Sequence, residues 1–195
     1  MAQKMEMSHE TPAYPDKDRK YQRPGERAVR FILGILGFFR DMFTSPATII
    51  PRGKVLQHRG HDLPAGKAIR YSHILLVEDN PDTAREFIEA IENYYVFGSI
   101  MIFVAHAFDA ALTFFANEEV NLVIMDADLD DDDGDGAILT REFLSERPDL
   151  TILANSSRKI SNLKLTGFGA VETLGKKTEK LKMWLAVNDP TGSEG

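Results

Sequence analysis

From Tyr71 onward the chain alternates between two hydrophobic patterns. Short unbroken apolar runs, such as Ile74-Leu-Leu-Val77 and Leu122-Val-Ile-Met125, are followed by longer stretches in which apolar residues recur every three or four positions. The first pattern suits strands buried on both faces, and the second suits amphipathic helices. The reading predicts strands at 73–78, 99–105, 121–126, 151–155 and 170–175, and helices at 81–94, 108–119, 137–147, 158–166 and 178–187. Asn80 and Pro81 form a helix-start signal, and Phe108, Ala111, Leu112 and Phe115 form a core stripe. Five strands and five helices in strict alternation predict an α/β fold, a doubly wound five-stranded parallel sheet with helices on both faces.

Upstream the pattern changes. Residues 1–25 hold Pro12, Pro15, Pro24 and Gly25 among charges with almost nothing apolar, which predicts a disordered polar tail. Residues 26–45 predict one apolar helix, because Arg27, Arg30, Gly34, Gly37 and Asp41 fall on one face and most other positions are apolar. Its unbroken apolar run, Phe31 to Phe39, is far shorter than the ~20 residues that span a bilayer. Three placements stay open for helix 27–43: contact with a membrane surface, self-association through Gly34 and Gly37, or packing on the following domain. Residues 46–70, rich in Pro and Gly, read as an irregular linker in which His58 and His61 are solvated. The globular domain is expected at 71–188, followed by a C-terminal tail at 189–195.

Charge sharpens this division. The net charge is −7, yet residues 1–70 carry 13 Lys and Arg against 7 Asp and Glu, and residues 71–195 carry 10 against 23. A basic arm at +6 precedes an acidic body at −13. Such asymmetry suits self-association or an anionic surface, but no clear nucleic-acid-binding domain is legible. The chain has no cysteine, which excludes disulfides, thiolate metal sites and cysteine nucleophiles. Met1 to Tyr21 lacks the order of a secretory signal, so a cytoplasmic location is expected, with membrane association through helix 27–43 left open.

The candidate chemistry lies at the strand ends. The first predicted strand ends in Glu78-Asp79, the third in Asp126, the fourth precedes Ser156, and Lys176 follows the fifth. Parallel neighbours would gather these groups in the crevice beyond the carboxyl ends of the sheet. Three acids in one pocket require a cation, and Mg2+ suits carboxylate and phosphate oxygens. An aspartate beside a metal, an ammonium and a hydroxyl can take a phosphoryl group, and Asp126, Lys176 and Ser156 supply those parts.

These motifs in this order resemble a response-regulator receiver domain of two-component signalling. Ile74-Leu-Leu-Val-Glu-Asp-Asn-Pro81 is similar to the first strand and acidic pair of that family. Leu122-Val-Ile-Met-Asp126, with Leu129 and Gly134, is similar to its phosphoacceptor strand and loop. Ile152-Leu-Ala-Asn-Ser156-Ser157 is similar to its switch hydroxyl, and Gly169-Ala170 with Lys176 to its final strand and lysine. The resemblance implies phosphorylation of Asp126, with Mg2+ held by Glu78, Asp79, Asp126 and the main-chain carbonyl of Asp128. It implies Lys176 and Ser156 on the phosphoryl oxygens, and a histidine kinase or phosphotransfer protein as donor. The downstream protein is unknown, and signalling is expected through protein contacts without a separate C-terminal output domain. No enzyme activity beyond self-phosphorylation from a phosphodonor and slow self-dephosphorylation is implied.

The chain departs from that pattern at Asp130 and Lys177, where the family commonly has proline, and at Thr173, where it has an aromatic switch residue. Three alternatives follow. One is a receiver-like interaction module that is not phosphorylated. A second is a calcium loop, since Asp131, Asp133, Asp135, Gly136, Ile138 and Glu142 fit an EF-hand register. The third is an aspartate-nucleophile phosphatase, which Asp126-Ala-Asp128 resembles.

Overall fold

The structure, a computed structural model, describes residues 52–129 and 136–193. The expected tail at 1–25, the helix at 26–45 and the aspartates between 130 and 135 lie outside the described residues. Six strands form one sheet: β1 (Gly53–Arg59), β2 (His73–Val77), β3 (Ser99–Ala105), β4 (Leu122–Met125), β5 (Thr151–Ala154) and β6 (Glu172–Thr173). The helices are α1 (Pro81–Tyr94), α2 (Phe108–Asn117), α3 (Gly136–Glu146), α4 (Lys159–Gly167) and α5 (Thr178–Asn188). Among the described residues, no helix is long and apolar enough to cross a membrane.

The strand order is β1-β3-β2-β4-β5-β6, with β2 to β6 parallel as expected. Alternate residues of each buried strand serve opposite faces. Leu75 and Val77 pack with Phe103, Phe114, Phe115 and Phe143 under α2 and α3, while Ile74 and Leu76 pack with Phe87, Ile91, Leu181 and Leu185 under α1 and α5. Two-sided burial explains why these strands read as continuous apolar runs. The reversal of chain direction between β2→β3 and β2→β4 places the crevice at the carboxyl ends of β2 and β4.

Two boundaries need correction. The expected linker at 46–70 contains β1, which pairs antiparallel with β3 from Gly53↔Ala105 to Arg59↔Ser99, so the sheet has a sixth, antiparallel edge strand. Only one side of an edge strand is paired, and β1 has exposed Val55 beside half-buried Leu56, so it lacks the solid apolar run of its neighbours. His58 and His61 belong to this structure: His58 Nε2 lies 2.8 Å from the Tyr95 carbonyl oxygen, and the His61 ring packs against Phe97.

The second correction is at the carboxyl end, where residues expected to be a tail complete the domain. Asp189 is buried and accepts hydrogen bonds from the main-chain N–H groups of Arg70 (3.0 Å) and Tyr71 (2.9 Å) and from the Tyr95 hydroxyl (3.0 Å). Burial beside this carboxylate pushes the Tyr95 hydroxyl far above the usual tyrosine range. A short 3₁₀ turn, Pro190–Gly192, follows, and Phe97 N–H donates to the Gly192 carbonyl at 3.2 Å.

The last strand is shorter than expected, Glu172–Thr173 in place of 170–175, because Leu174 leads into a turn with Gly175 and Lys176 at φ 66° and 59°. Only the first of these left-handed residues is a glycine. The Lys176 conformation is held by its N–H donating to Asn155 Oδ1 at 3.0 Å.

Candidate functional site

Each expected group arrives on its own element. Glu78 and Asp79 follow β2, and Glu78 N–H donates to the Ala105 carbonyl, continuing the ladder with β3. Asp126 follows β4, its N–H bonded to the Val77 carbonyl, and Asn155 follows β5 in the same way, bonded to the Met125 carbonyl. The parallel ladders therefore set the carboxyl ends of β2, β4 and β5 side by side. Gly136 opens α3 beside them, and a Cβ there would overlap the main-chain oxygen of Asp126. Gly136 is the described glycine on which this close approach depends.

Glu78, Asp79 and Asp126 each place a carboxylate oxygen within 4.8 Å of the others. Glu78 and Asp126 are buried, whereas Asp79 is partly exposed. Lys176 Nζ bridges the buried pair, at 2.6 and 2.5 Å from the two Glu78 oxygens and 2.5 Å from Asp126 Oδ2. One ammonium thus serves two buried carboxylates. Burial raises Glu78 to about 7, against the opposing bond from Lys176 and with the Asp126 charge reinforcing it. Asp126 is also raised, chiefly by burial, despite Lys176 and the Asp128 N–H. Burial disfavours the Lys176 charge, but the bonds and charges of Asp126 and Glu78 outweigh it and hold the ammonium above its ordinary range.

Ser156 and Asp128 form the opposite lip. The Ser156 hydroxyl donates to Asp128 Oδ2 at 3.0 Å, and Arg158 Nε donates to the same oxygen at 3.0 Å. Arg158 also pairs with Asp128 Oδ1, and Ser161 Oγ donates there at 3.4 Å. Burial would raise Asp128, but these donors together hold it below the usual carboxylate range. The lips enclose an open cleft of about 620 Å³ that also reaches Asn80, Pro81, Thr83 and Ser157.

Similarity to solved structures follows this geometry. The response regulator DrrB of Thermotoga maritima matches at 18% identity and a TM-score of 0.50, over 60% of this chain and 51% of its own. A CheY-like receiver domain protein from Methanospirillum hungatei matches at 19% and 0.50, over 64% of this chain and 99% of its own. A LuxR-family two-component response regulator from Aurantimonas matches at 20% and 0.51, over 60% and 84%. The folded domain is a receiver fold. This chain spans about half the length of DrrB and nearly all of the Methanospirillum domain. No protein-family model and no curated protein matches the chain.

Within the receiver fold, the six expected residues Glu78, Asp79, Asp126, Asp128, Ser156 and Lys176 all line the one cleft. Ser156 is turned toward Asp128 and Lys176 toward Asp126 and Glu78. The EF-hand reading is not supported, because the chain enters the acidic loop from β4 and Gly136, Ile138 and Glu142 lie in α3; an EF-hand loop needs a helix before it. Asp131, Asp133 and Asp135 lie outside the described residues.

Three supporting residues were not foreseen. Asn155 is buried, donates from Nδ2 to Glu78 Oε2 at 3.4 Å and receives the Lys176 N–H, joining β5 to both sides of the ion cluster. Asn162 clamps Ser156 from α4, with Oδ1 accepting the Ser156 N–H at 2.9 Å and Nδ2 donating to its carbonyl at 2.7 Å. Arg158 is the third. A polar residue ending an apolar run was the available signal for Asn155; Asn162 had none, since it looks like any polar position on a short helix.

Proposed function

We propose that this protein is a phosphoryl-accepting receiver of a two-component phosphorelay, modified on Asp126. The observation that carries the reading is the convergence of the Glu78, Asp79 and Asp126 oxygens within 4.8 Å, with the Lys176 ammonium on Asp126. The donor set is entirely hard oxygen, which fits Mg2+, and the Lys176 ammonium already stands as a cation between two of the three carboxylates. Glu78, Asp79 and Asp126, with the Asp128 carbonyl, would hold the ion. Bound there, Mg2+ supplies positive charge to the phosphoryl oxygens and the acidic cluster.

Asp126 is the nucleophile. Its Oδ2 is held by Lys176, whereas among the described residues Oδ1 accepts just the Asp128 N–H, at 3.3 Å, and is the oxygen proposed to bond phosphorus. That P–O bond forms as the bond from phosphorus to the donor breaks, and the leaving group departs with its electron pair. The donor is a phosphohistidine of a kinase or phosphotransfer protein, or a small acyl phosphate. Lys176 keeps its ammonium on the acceptor and is placed to follow charge onto the phosphoryl oxygens. The Ser156 hydroxyl lies one lip away and would exchange Asp128 for a phosphoryl oxygen. The protein is proposed to work in the cytoplasm, where such donors form, and to signal through protein contacts.

Incubation of the full chain with acetyl phosphate and Mg2+, followed by intact-mass measurement, tests the reading. The wild type is expected to gain one phosphoryl mass, sensitive to hydroxylamine and absent in Asp126→Asn. No adduct on either protein, from acetyl phosphate or from a phosphorylated phosphotransfer domain, would favour a receiver-like module that works without phosphorylation.

A further inference from the structure

Of the three clustered carboxylates, those of Glu78 and Asp126 are fixed by the Lys176 ammonium, and that of Asp79 is not. Among the described residues no ion pair or hydrogen-bond donor holds the Asp79 carboxylate. Its place in the cluster is therefore set by its main chain, through the peptide group that joins Glu78 to Asp79. The Glu78 N–H donates to the Ala105 carbonyl at 3.0 Å, the last rung between β2 and β3. One more rung of a parallel ladder would bring a main-chain N–H from beyond β3 to the Glu78 carbonyl. Among the described residues no main-chain donor reaches that oxygen, because the chain leaves the sheet at Ala107 to begin α2.

The missing donor is supplied by a side chain. His106 Nδ1 lies 2.7 Å from the Glu78 carbonyl oxygen, and since a carbonyl oxygen can only accept, Nδ1 is the donor. The His106 main chain is tied in turn to the edge strand. Its N–H donates at 2.8 Å to the carbonyl of Arg52, which takes φ 57° immediately before β1. His106 is half-buried and does not line the cleft.

We infer that His106 is a positioning residue of the metal site, holding the Glu78–Asp79 peptide so that the Asp79 carboxylate meets those of Glu78 and Asp126. The inference rests on the reading of that cluster as the Mg2+ site. A peptide group is planar and rigid, so a bond at its oxygen fixes the direction in which Asp79 leaves β2. On the other side Asn80 is committed to capping α1, with Oδ1 accepting the N–H groups of Asp82 and Thr83. The tilt of this one peptide is the freedom that His106 removes. Without the bond, an incoming ion has to order Asp79 as it binds, which weakens binding.

The test is a titration of the full chain with Mn2+ in the absence of any phosphodonor. Free Mn2+ is read by electron paramagnetic resonance, and Mg2+ serves as competitor. His106→Leu keeps the bulk and removes the donor, and is expected to weaken binding by about threefold to tenfold, the range of one lost hydrogen bond. His106→Asn carries an amide N–H as many bonds from the main chain as Nδ1, and should stay within about twofold of wild type. With Asp79→Asn already in place, His106→Leu should cost little more, since its effect passes through Asp79. Urea unfolding in EDTA shows that each variant is folded, and His106→Ala replaces the leucine variant if that one is not.

Mn2+ affinity that is the same in wild type and His106→Leu would overturn the inference. So would His106→Asn binding as weakly as His106→Leu, or a full further loss on the Asp79→Asn background. Acetyl-phosphate labelling of Asp126 is scored separately. Labelled protein whose Mn2+ affinity ignores His106 loses this inference alone, and a wild type that binds no Mn2+ loses the metal assignment with it. Metal binding that depends on His106 in a protein that takes no phosphoryl group would sustain the inference and count against the phosphoryl reading.

Discussion

Glu78→Gln removes one charge from the buried pair that shares the Lys176 ammonium, and its consequence is a change in the pH dependence of folding. Glu78 is raised from 4.5 to about 7 in the folded protein, so between those values the folded state keeps a proton that the unfolded chain releases. Its stabilising contribution is therefore fully present below about pH 4.5 and is lost as the pH rises through 7. A shift of this size amounts to about 3 kcal/mol in all, of which about 2 kcal/mol is lost between pH 5.5 and 8. The geometry gives the same scale. Carboxylate oxygens that lie within 4.8 Å of one another repel by about 3 kcal/mol or more at an effective dielectric near 20. The assay is urea unfolding of wild type and Glu78→Gln in EDTA across that pH range. The stability of wild type minus variant is expected to fall by about 2 kcal/mol from pH 5.5 to 8. Saturating Mg2+ at pH 8 should recover most of the difference in the wild type and little in the variant. A difference that is flat, or that grows with pH, would refute the assignment of Glu78 as a buried acid strained by its neighbour.

Lys176→Met leaves Glu78 and Asp126 without their shared cation; stability measured in EDTA at pH 8 should drop by about 3 kcal/mol or more, and less at pH 5.5, where one carboxyl is protonated. Gly136→Ala drives a Cβ into the Asp126 carbonyl, so the α3 start or the β4 end must shift, with an expected loss of about 2 kcal/mol or more in urea unfolding and slower acetyl-phosphate labelling of Asp126. Asp189→Ala strands two main-chain donors and the Tyr95 hydroxyl; a loss of about 2–4 kcal/mol at an unchanged m-value is expected, and a loss under about 0.5 kcal/mol would return Asp189 to the status of a tail residue.

The parts of the molecule that the sequence made legible are those whose environment is set by nearby residues. The runs Ile74–Val77 and Leu122–Met125 are buried on both faces, so each position reports burial independently of its neighbours. The acids and the lysine were legible because strand ends in a parallel sheet converge, and topology turns separations of 48 and 50 residues into one contact set. β1 was not legible. As an edge strand it faces solvent, and Lys54, Gln57, His58 and Arg59 make it look like the Pro- and Gly-rich loops that bracket it. Asp189 failed for a different reason. Its partners Arg70, Tyr71 and Tyr95 lie 119, 118 and 94 residues away, and nothing beside it in sequence signals that they meet. Asn162 is the same kind of case on a smaller scale.

Asn162 and its neighbours also bear on how a receiver fold with threonine at 173 can relay an event in the cleft. The Ser156 hydroxyl donates to Asp128 and receives the Arg158 N–H, while the Ser156 main chain is clamped on both sides by the Asn162 amide. Asn162 lies one turn into α4, and Ser157 borders both the cleft and a second cavity lined by Lys159, Leu163, Thr166, Lys177 and Lys180. Turning the hydroxyl from Asp128 toward Asp126 removes one of the bonds that hold Asp128 and loosens its pairing with Arg158, the residue that precedes α4. On the proposed reading, that change would reach the helix through its first turn by hydrogen bonds and an ion pair. Such a path would need no aromatic side chain at position 173, where this chain carries threonine.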